Sequence, residues 1–401
     1  PEQAATAIGE CCRAENFDVE VLAREAALAG NLAIPLVRAL TALVAQSDPD
    51  AAQYVHWGAT SQDVIDTGAV LQMRDALDLV EADLGRLSEA YGRLAREHKA
   101  TVMAGRTWMQ QGAPITFGLK VAGWLSAIHR HQERLRETRS RVLVVQFGGA
   151  VGTLAALGSQ GVAVAEALAE VLQISVPDIP WHSERDRVVE VATTLGLITG
   201  TLSKIARDLA LLSQTEVGEV AEPAAPGRGG SSSMPQKHNP VGSAVALVAA
   251  QRVPGLVATM LAAMPQEHER GLGGWQAEWE TLPEICLLTA GALRHMALVA
   301  EGLEIDVERM RVNLDLTNGL IFAENVSMAL APHIGKQRAY TLLHDACARA
   351  VSQRRHLRDV LTEDNTVTTY LNDEDLTHLF DPQQATGLSE QLVERVVHEE
   401  S

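Results

Sequence analysis

A chain of 401 residues exceeds what one simple hydrophobic core organises, so two or three structural regions are expected. Apolar residues make up 46% and aromatics only 4%, with Leu, Ala and Val prominent, which reads as an aliphatic, mostly helical core. A formal net charge of -18 argues against nucleic acid or an anionic membrane as partner, yet leaves room for a basic pocket holding a small anion.

No run of about eighteen apolar residues is free of charge, so no membrane span is expected. The opening "PEQAATAIGECCRAENF" lacks the basic flank and apolar run of a signal peptide. It also lacks an initial Met, so further residues are expected ahead of Pro1. Cys11, Cys12, Cys286 and Cys347 fit no zinc spacing, and adjacent cysteines make poor disulfide partners. A reducing cytoplasm is the expected setting.

Residues 1–62 read as short helical pieces forming an N-terminal domain. From residue 66 the apolar positions Val70, Met73, Leu77, Val80, Leu84, Leu87, Tyr91 and Leu94 alternate spacings of three and four. That is a long helix with one narrow apolar seam. A second long segment is expected to open at Pro114, a favoured first-turn residue, and to run to about Val145. Val188, Val191, Leu195, Ile198, Leu202, Ile205, Leu209 and Leu212 repeat the seam. A fourth helix should follow Pro240 and carry Pro254, and a fifth should run from Pro283 to about Glu301. Few strand signals appear. The fold class expected is all-α: a five-helix bundle over 63–308 serving as oligomer core, flanked by a C-terminal helical domain, 309–401. Seams this regular are often buried between subunits, and a monomeric bundle would show them too.

Chemistry belongs where rigid elements are joined by unusual loops. In "HWGATSQDVIDT" (56–67), Thr60 and Ser61 precede a helix start. They could cap the helix, hold a carboxylate at its N-terminus, or do both. In "MAGRTWMQQGAP" (103–114), Arg106, Thr107, Gln110 and Gln111 surround Trp108; a helix hairpin stapled by a buried Trp is the plainer account. In "QFGGAVGTLAALG" (146–158), Gly148, Gly149 and Gly152 allow close backbone approach, as any tight helix connection would. "GRGGSSSMPQKHNP" (227–240) is different. Its glycines, hydroxyls and amides, with Arg228, Lys237 and His238, form an anion-receptive surface on an acidic protein. A plain linker would not end in Met-Pro-x-Lys-x-Asn-Pro.

That last stretch resembles the signature of the fumarase/aspartase superfamily, GSSxMPxKxNP, meeting it at Gly230, Ser231, Ser232, Met234, Pro235, Lys237, Asn239 and Pro240. "HWGATSQDVIDT" is similar to the first motif of the family and "GRTWMQ" to its second, usually GRTHxQ; the resemblance runs over nearly the whole chain. It implies a homotetramer whose core is built from five-helix bundles, with each active site assembled from loops of three subunits. It implies reversible anti addition and elimination beside a carboxylate through an aci-carboxylate dianion, without metal or organic cofactor. By position, Ser231 exchanges the alpha proton, while Lys237 and Asn239 stabilise the dianion. Thr60, Ser61, Thr107 and Gln110 would hold substrate carboxylates, with Arg106, Trp108 and Ser232 completing the pocket. A serine base needs its hydroxyl acidified, and Lys237 with loop amides is the expected source.

The chain departs from the family pattern at two linked positions. The histidine of the second motif is Trp108, and the glutamate that pairs with it, four residues after the signature, is Ala244. That pair helps a poor leaving group or activates a nucleophile. A carboxylate, whose conjugate acid has a pKa of about 4, needs no such help. An intramolecular carboxylate nucleophile would close a lactone, as in the lactonising branch of the superfamily. The tricarboxylate substrate implied there suits Arg228, Lys237 and His238. Arg338 is a further cation or simply a solvated helix charge. The alternative is another lyase of the family, such as one acting on adenylosuccinate, with His56 as acid; a structural His56 beside Trp57 is the simpler reading. A non-catalytic protein on this fold, as some lens crystallins are, is disfavoured because Ser231 and Lys237 are kept.

Overall fold

The seam spacing folds as read. In a computed structural model, which describes residues 1–225 and 227–398, Ser61–Glu97 is one helix. Its Val70, Leu77, Leu84, Leu87 and Tyr91 are at most 1% exposed, while Asp75, Glu81 and Glu89 between them face solvent. Asp186–Leu212 repeats this, with Val191, Leu195, Ile198, Leu202 and Ile205 fully buried. Each such aliphatic side chain contributes about 2 kcal/mol by leaving water, which is what holds helices of ordinary propensity together. Phe117–Val142, Val241–Ala263 and Gly274–Glu301 complete the five long helices, and the chain is mostly α.

The chain divides into two compact units. The first comprises Pro1–Glu81, Glu133–Leu197 and Gln251–Ala290. It begins with the short helices Glu2–Cys11, Val19–Ala29, Ala33–Ser47 and Pro49–Ala52, the second and fourth started by aspartate caps the sequence spells out. Asp18 accepts from the Glu20 and Val21 amides at 2.9 and 3.1 Å, and Asp48 from Asp50 and Ala51 at 3.1 and 2.9 Å. Ala4, Val44, Ala51 and Ala52 form their small core. Deeper in this unit Arg185, 2% exposed, bonds Asp66 at 2.7 Å and Glu278 at 2.6 Å, and burial pushes the Glu278 carboxyl up against the pull of Arg185.

The second unit comprises Ala82–Gln132, Ile198–Ala250 and the chain from Gly291. Trp124 anchors it, packing against Tyr91 at 5.6 Å and edge-on to Phe117 at 6.3 Å. Toward the C-terminus Val326, Leu330, Leu343, Ala346, Leu357 and Leu376 close a separate aliphatic cluster.

Three expectations are corrected. Residues 103–114 are not a helix hairpin but the body of a β-hairpin, Val102–Thr107 paired antiparallel with Gln110–Thr116. Pro114 lies in the second strand opposite Ala104 and opens no helix; a two-stranded ribbon tolerates it because each strand has an unpaired edge. The helix starts at Phe117, where Thr116 Oγ1 accepts from the Leu119 amide at 3.1 Å. Likewise Pro283 lies inside the last long helix, which begins at Gly274. There Gln276 accepts from the Gly273 amide at 3.0 Å, and Trp275, bonded to Asp66 at 2.9 Å, anchors the added turns. Pro254 is inside Val241–Ala263 as expected.

By length and composition alone, four helices could cross a membrane: Ala155–Leu172, Asp186–Leu212, Val241–Ala263 and Gly274–Glu301. Scattered charges hid them from a search for uninterrupted apolar runs.

Candidate active site

The signature loop, 227–240, leaves helical geometry because Gly227 and Gly229 take left-handed φ of +78° and +70°. It is closed on itself. The Asn239 amide donates to the Gly229 carbonyl at 2.8 Å, and Asn239 Nδ2 donates to the same oxygen at 3.1 Å. A Cβ on Gly229 would lie 2.8 Å from the Asn239 carbonyl oxygen, so only glycine fits the closure. Within the ring, Ser231 Oγ accepts from the Met234 amide at 3.1 Å and the Ser233 amide at 3.4 Å. Two N–H dipoles aimed at this oxygen stabilise charge on it. Ser232, Lys237 and His238 are exposed, and Lys237 has no ion-pair partner among the described residues.

Arg228 is not free in the same way. Its guanidinium lies 3.7 Å from the Glu222 carboxylate. Glu222 in turn accepts from the Gly242 and Ser243 amides, each at 2.8 Å, and so caps the Val241–Ala263 helix that follows the loop. Gly242 makes room, since a Cβ there would meet Val299 at 2.5 Å. Glu222 was not singled out by sequence; its only signal was a lone acid just upstream of the signature.

The second motif occupies the hairpin. Arg106 grips Glu219 with both terminal nitrogens, at 2.9 and 2.6 Å, and Glu219 is fully buried. Asn313 Nδ2 adds a third bond to this carboxylate at 2.8 Å. Arg106 is therefore engaged by the fold, through partners that lie far along the chain and carry no motif. Thr107 and Gln110 face each other across the turn and are exposed. The turn itself is Trp108 and Met109, both left-handed at φ +52° and +65°. A two-residue turn of this type suits the twist of a hairpin but is normally built from Asn and Gly. Trp108 is 97% exposed and Met109 72%, so the expected buried staple is not formed within the chain. Two bulky residues are thus held in a costly backbone conformation at an exposed tip of the chain. Ala244 is exposed as well.

These residues belong to the second unit, as does Arg338, exposed in the first turn of the Lys336–Gln353 helix. Thr60 and Ser61 belong to the first. There the Thr60 amide donates to Asp63 Oδ2 at 2.9 Å, the backward half of a capping box, at the start of the Ser61–Glu97 helix. Asp63 also receives the amides of Gly148 and Gly149 at 3.0 and 2.9 Å, which is the close approach those glycines permit, and His182 Nε2 at 2.7 Å. His56 sits just ahead at a left-handed φ of +60°; burial lowers its pKa, and the charge of Asp63 partly opposes this. His182 was missed because a lone histidine in "WHSERDR" carries no spacing signal.

A family model described as "Lyase" matches residues 2–255, and one described as "Adenylosuccinate lyase C-terminus" matches residues 319–396. The chain belongs to the lyase family. Among its lyase-family relatives, 3-carboxy-cis,cis-muconate cycloisomerase of Pseudomonas putida is 57% identical over 376 residues, 94% of this chain and 89% of that protein. The protein of the same description from Pseudomonas aeruginosa is 56% identical over 399 residues, covering 100% of this chain and 87% of its own. The crystal structure of 3-carboxy-cis,cis-muconate lactonizing enzyme from Pseudomonas putida superposes with a TM-score of 0.94 at 54% identity, over 100% of this chain and 89% of that one. The fold is thus the mostly α lyase fold.

Proposed function

We propose that this protein is a cycloisomerase that converts 3-carboxy-cis,cis-muconate to 4-carboxymuconolactone, in the protocatechuate branch of the β-ketoadipate pathway. The observation that carries the reading is a signature loop intact around Ser231 beside a second motif with Trp108, and Ala244, where lyases of other chemistry keep a His/Glu pair. The relatives described as cycloisomerases, 56–57% identical, support it.

A substrate carboxylate oxygen attacks the alkene carbon, forming the ring C–O bond. The electron pair moves into the neighbouring carboxylate, giving the aci-carboxylate dianion. Ser231 then delivers its proton anti to the new bond, at the alpha carbon, and regains one from water. The Met234 and Ser233 amides stabilise the transient alkoxide, and Lys237 and Asn239 the dianion. Thr60, Ser61, Thr107 and Gln110 hold the remaining carboxylates, with His238, Ser232, Arg228 and Arg338 around them, and Trp108 closes the pocket as a rigid apolar wall.

That arrangement needs several copies of the chain. We read residues 63–308 as the core of a homotetramer with shared sites, between the flanking regions 1–62 and 309–401. Leu79, Leu197, Val248, Leu261 and Leu287 on the long helices are 50–75% exposed in the single chain, which is apolar surface for other subunits rather than for lipid. The net charge of -18 fits a cytoplasmic enzyme of a small anion, with no nucleic acid or membrane partner.

The test is loss of the conjugated diene absorbance of 3-carboxy-cis,cis-muconate on adding protein, with Ser231→Ala alongside. Rapid loss that the variant nearly abolishes is expected. No loss with folded, oligomeric wild type would reject the reading in favour of another lyase, with adenylosuccinate and fumarate tried next.

A further inference from the structure

We propose that Asp63 and His182 are positioning residues that pre-set the Thr60–Ser61 turn to receive a substrate carboxylate. The inference rests on the proposed function, in which that turn binds substrate. All the residues involved lie in the first unit.

The Asp63 carboxylate is 3% exposed and joins three separate segments. Oδ2 accepts from the Thr60 amide at 2.9 Å and the Gly149 amide at 2.9 Å. Oδ1 accepts from the Gly148 amide at 3.0 Å, from His182 Nε2 at 2.7 Å and, more weakly, from Gln146 Nε2 at 3.5 Å. A carboxylate answers so many convergent donors because it accepts with both oxygens; an amide side chain would turn a donor of its own toward some of them. The His182 ring packs close to the glycine loop: a Cβ on Gly148 would stand 2.8 Å from its Cε1.

The next residue is held from the other side. Gln62, fully buried, donates to the His182 carbonyl at 2.8 Å and to Asp66 at 3.0 Å, and accepts from Arg270 at 3.1 Å. The backbone of the turn is thereby fixed at both ends. Among the described residues the Thr60 and Ser61 hydroxyls are tied to no protein group, and both are half-buried. They are rigid donors left over for a ligand. An uncompensated carboxylate this close would repel an anionic substrate, and the His182 N–H with the convergent amides offsets that charge. Removing His182 both loosens the turn and restores the repulsion, so the loss should fall on substrate binding.

The experiment measures KM and kcat for 3-carboxy-cis,cis-muconate in the assembled enzyme. The variants are His182→Ala, His182→Gln, Thr60→Val and the pair His182→Ala with Thr60→Val. For His182→Ala the expected result is a KM raised about tenfold, the worth of one charge-assisted hydrogen bond, with kcat nearly unchanged. His182→Gln keeps an N–H near the position of Nε2 and should recover most of the loss. The double variant should bind no worse than the poorer single, because both changes act on one turn. Additive losses in KM, or a fall in kcat at constant KM, would overturn the proposal. If His182→Ala does not assemble, His182→Asn, whose shorter amide falls away from Asp63, carries the same comparison. Wild type that turns over nothing rejects the functional reading and this proposal with it, whereas active wild type with additive variants rejects this proposal alone.

Discussion

Gly229→Ala tests whether the closed shape of the signature loop, and not merely its residue content, supports catalysis. Gly229 sits at φ +70°, a conformation that costs an alanine about 1–2 kcal/mol. The added Cβ would also stand 2.8 Å from the Asn239 carbonyl oxygen. That neighbour is backbone, and it cannot retreat without opening the ring closed by the Asn239 amide and Nδ2 on the Gly229 carbonyl, at 2.8 and 3.1 Å. One or two lost hydrogen bonds add about 1 kcal/mol each. The sum, about 2–4 kcal/mol against the closed loop, corresponds to a roughly 30- to 700-fold fall in kcat/KM. Diene loss on 3-carboxy-cis,cis-muconate reads it directly. Global stability should hardly move, because an exposed loop can open locally and so caps what the strain costs the whole fold. A variant keeping more than half of wild-type kcat/KM would refute the argument, as would a large drop in Tm with the loop chemistry intact.

Arg106→Ala should destabilise the protein by about 3–5 kcal/mol in denaturant melts, because it strips the fully buried Glu219 carboxylate of its paired charge and leaves it the hydrogen bond from Asn313. Adding Glu219→Gln should recover part of that loss, and no recovery would mean that the carboxylate charge is not the cause. His56→Asn, which tolerates the left-handed backbone, should lose less Tm than wild type as pH falls from about 7 to 5. Burial lowers the folded-state pKa of His56, so its contribution is present above the ordinary histidine range and is lost on acidification; parallel melting curves would contradict this. Trp108→His with Ala244→Glu should not produce a good fumarase or adenylosuccinate lyase, since the rest of the pocket still positions a different substrate, and substantial activity of either kind would show the pair alone to be decisive.

The helix seams and the signature loop were legible because each is local. A spacing of three and four has one physical solution, and Leu84 or Leu195 takes its buried place whatever lies opposite. The same holds for the signature, whose glycines permit the left-handed turns and whose Asn239 closes them within fourteen residues of chain. Sequence also told which family chemistry to expect, through Ser231 and Lys237, and which to doubt, through Trp108 and Ala244. What it left open was everything set by long-range partners. Pro114 read as a helix start because proline suits a first turn; only the pairing of its strand with Ala104, residues away, made it an edge residue of a hairpin. Arg106 read as one of the polar groups completing the pocket, and nothing along the chain pointed to its pairing with Glu219, 113 residues on. Thr60 and Ser61 read as caps or ligands, and the grip of Asp63 beside them reaches Gly148 and Gly149, 85 and 86 residues on, and His182, 119 residues on. Periodicity and backbone permission act between neighbours and can be read along a chain, whereas the partner of a buried charge is chosen by burial itself, when desolvation makes an unpaired group too costly to keep.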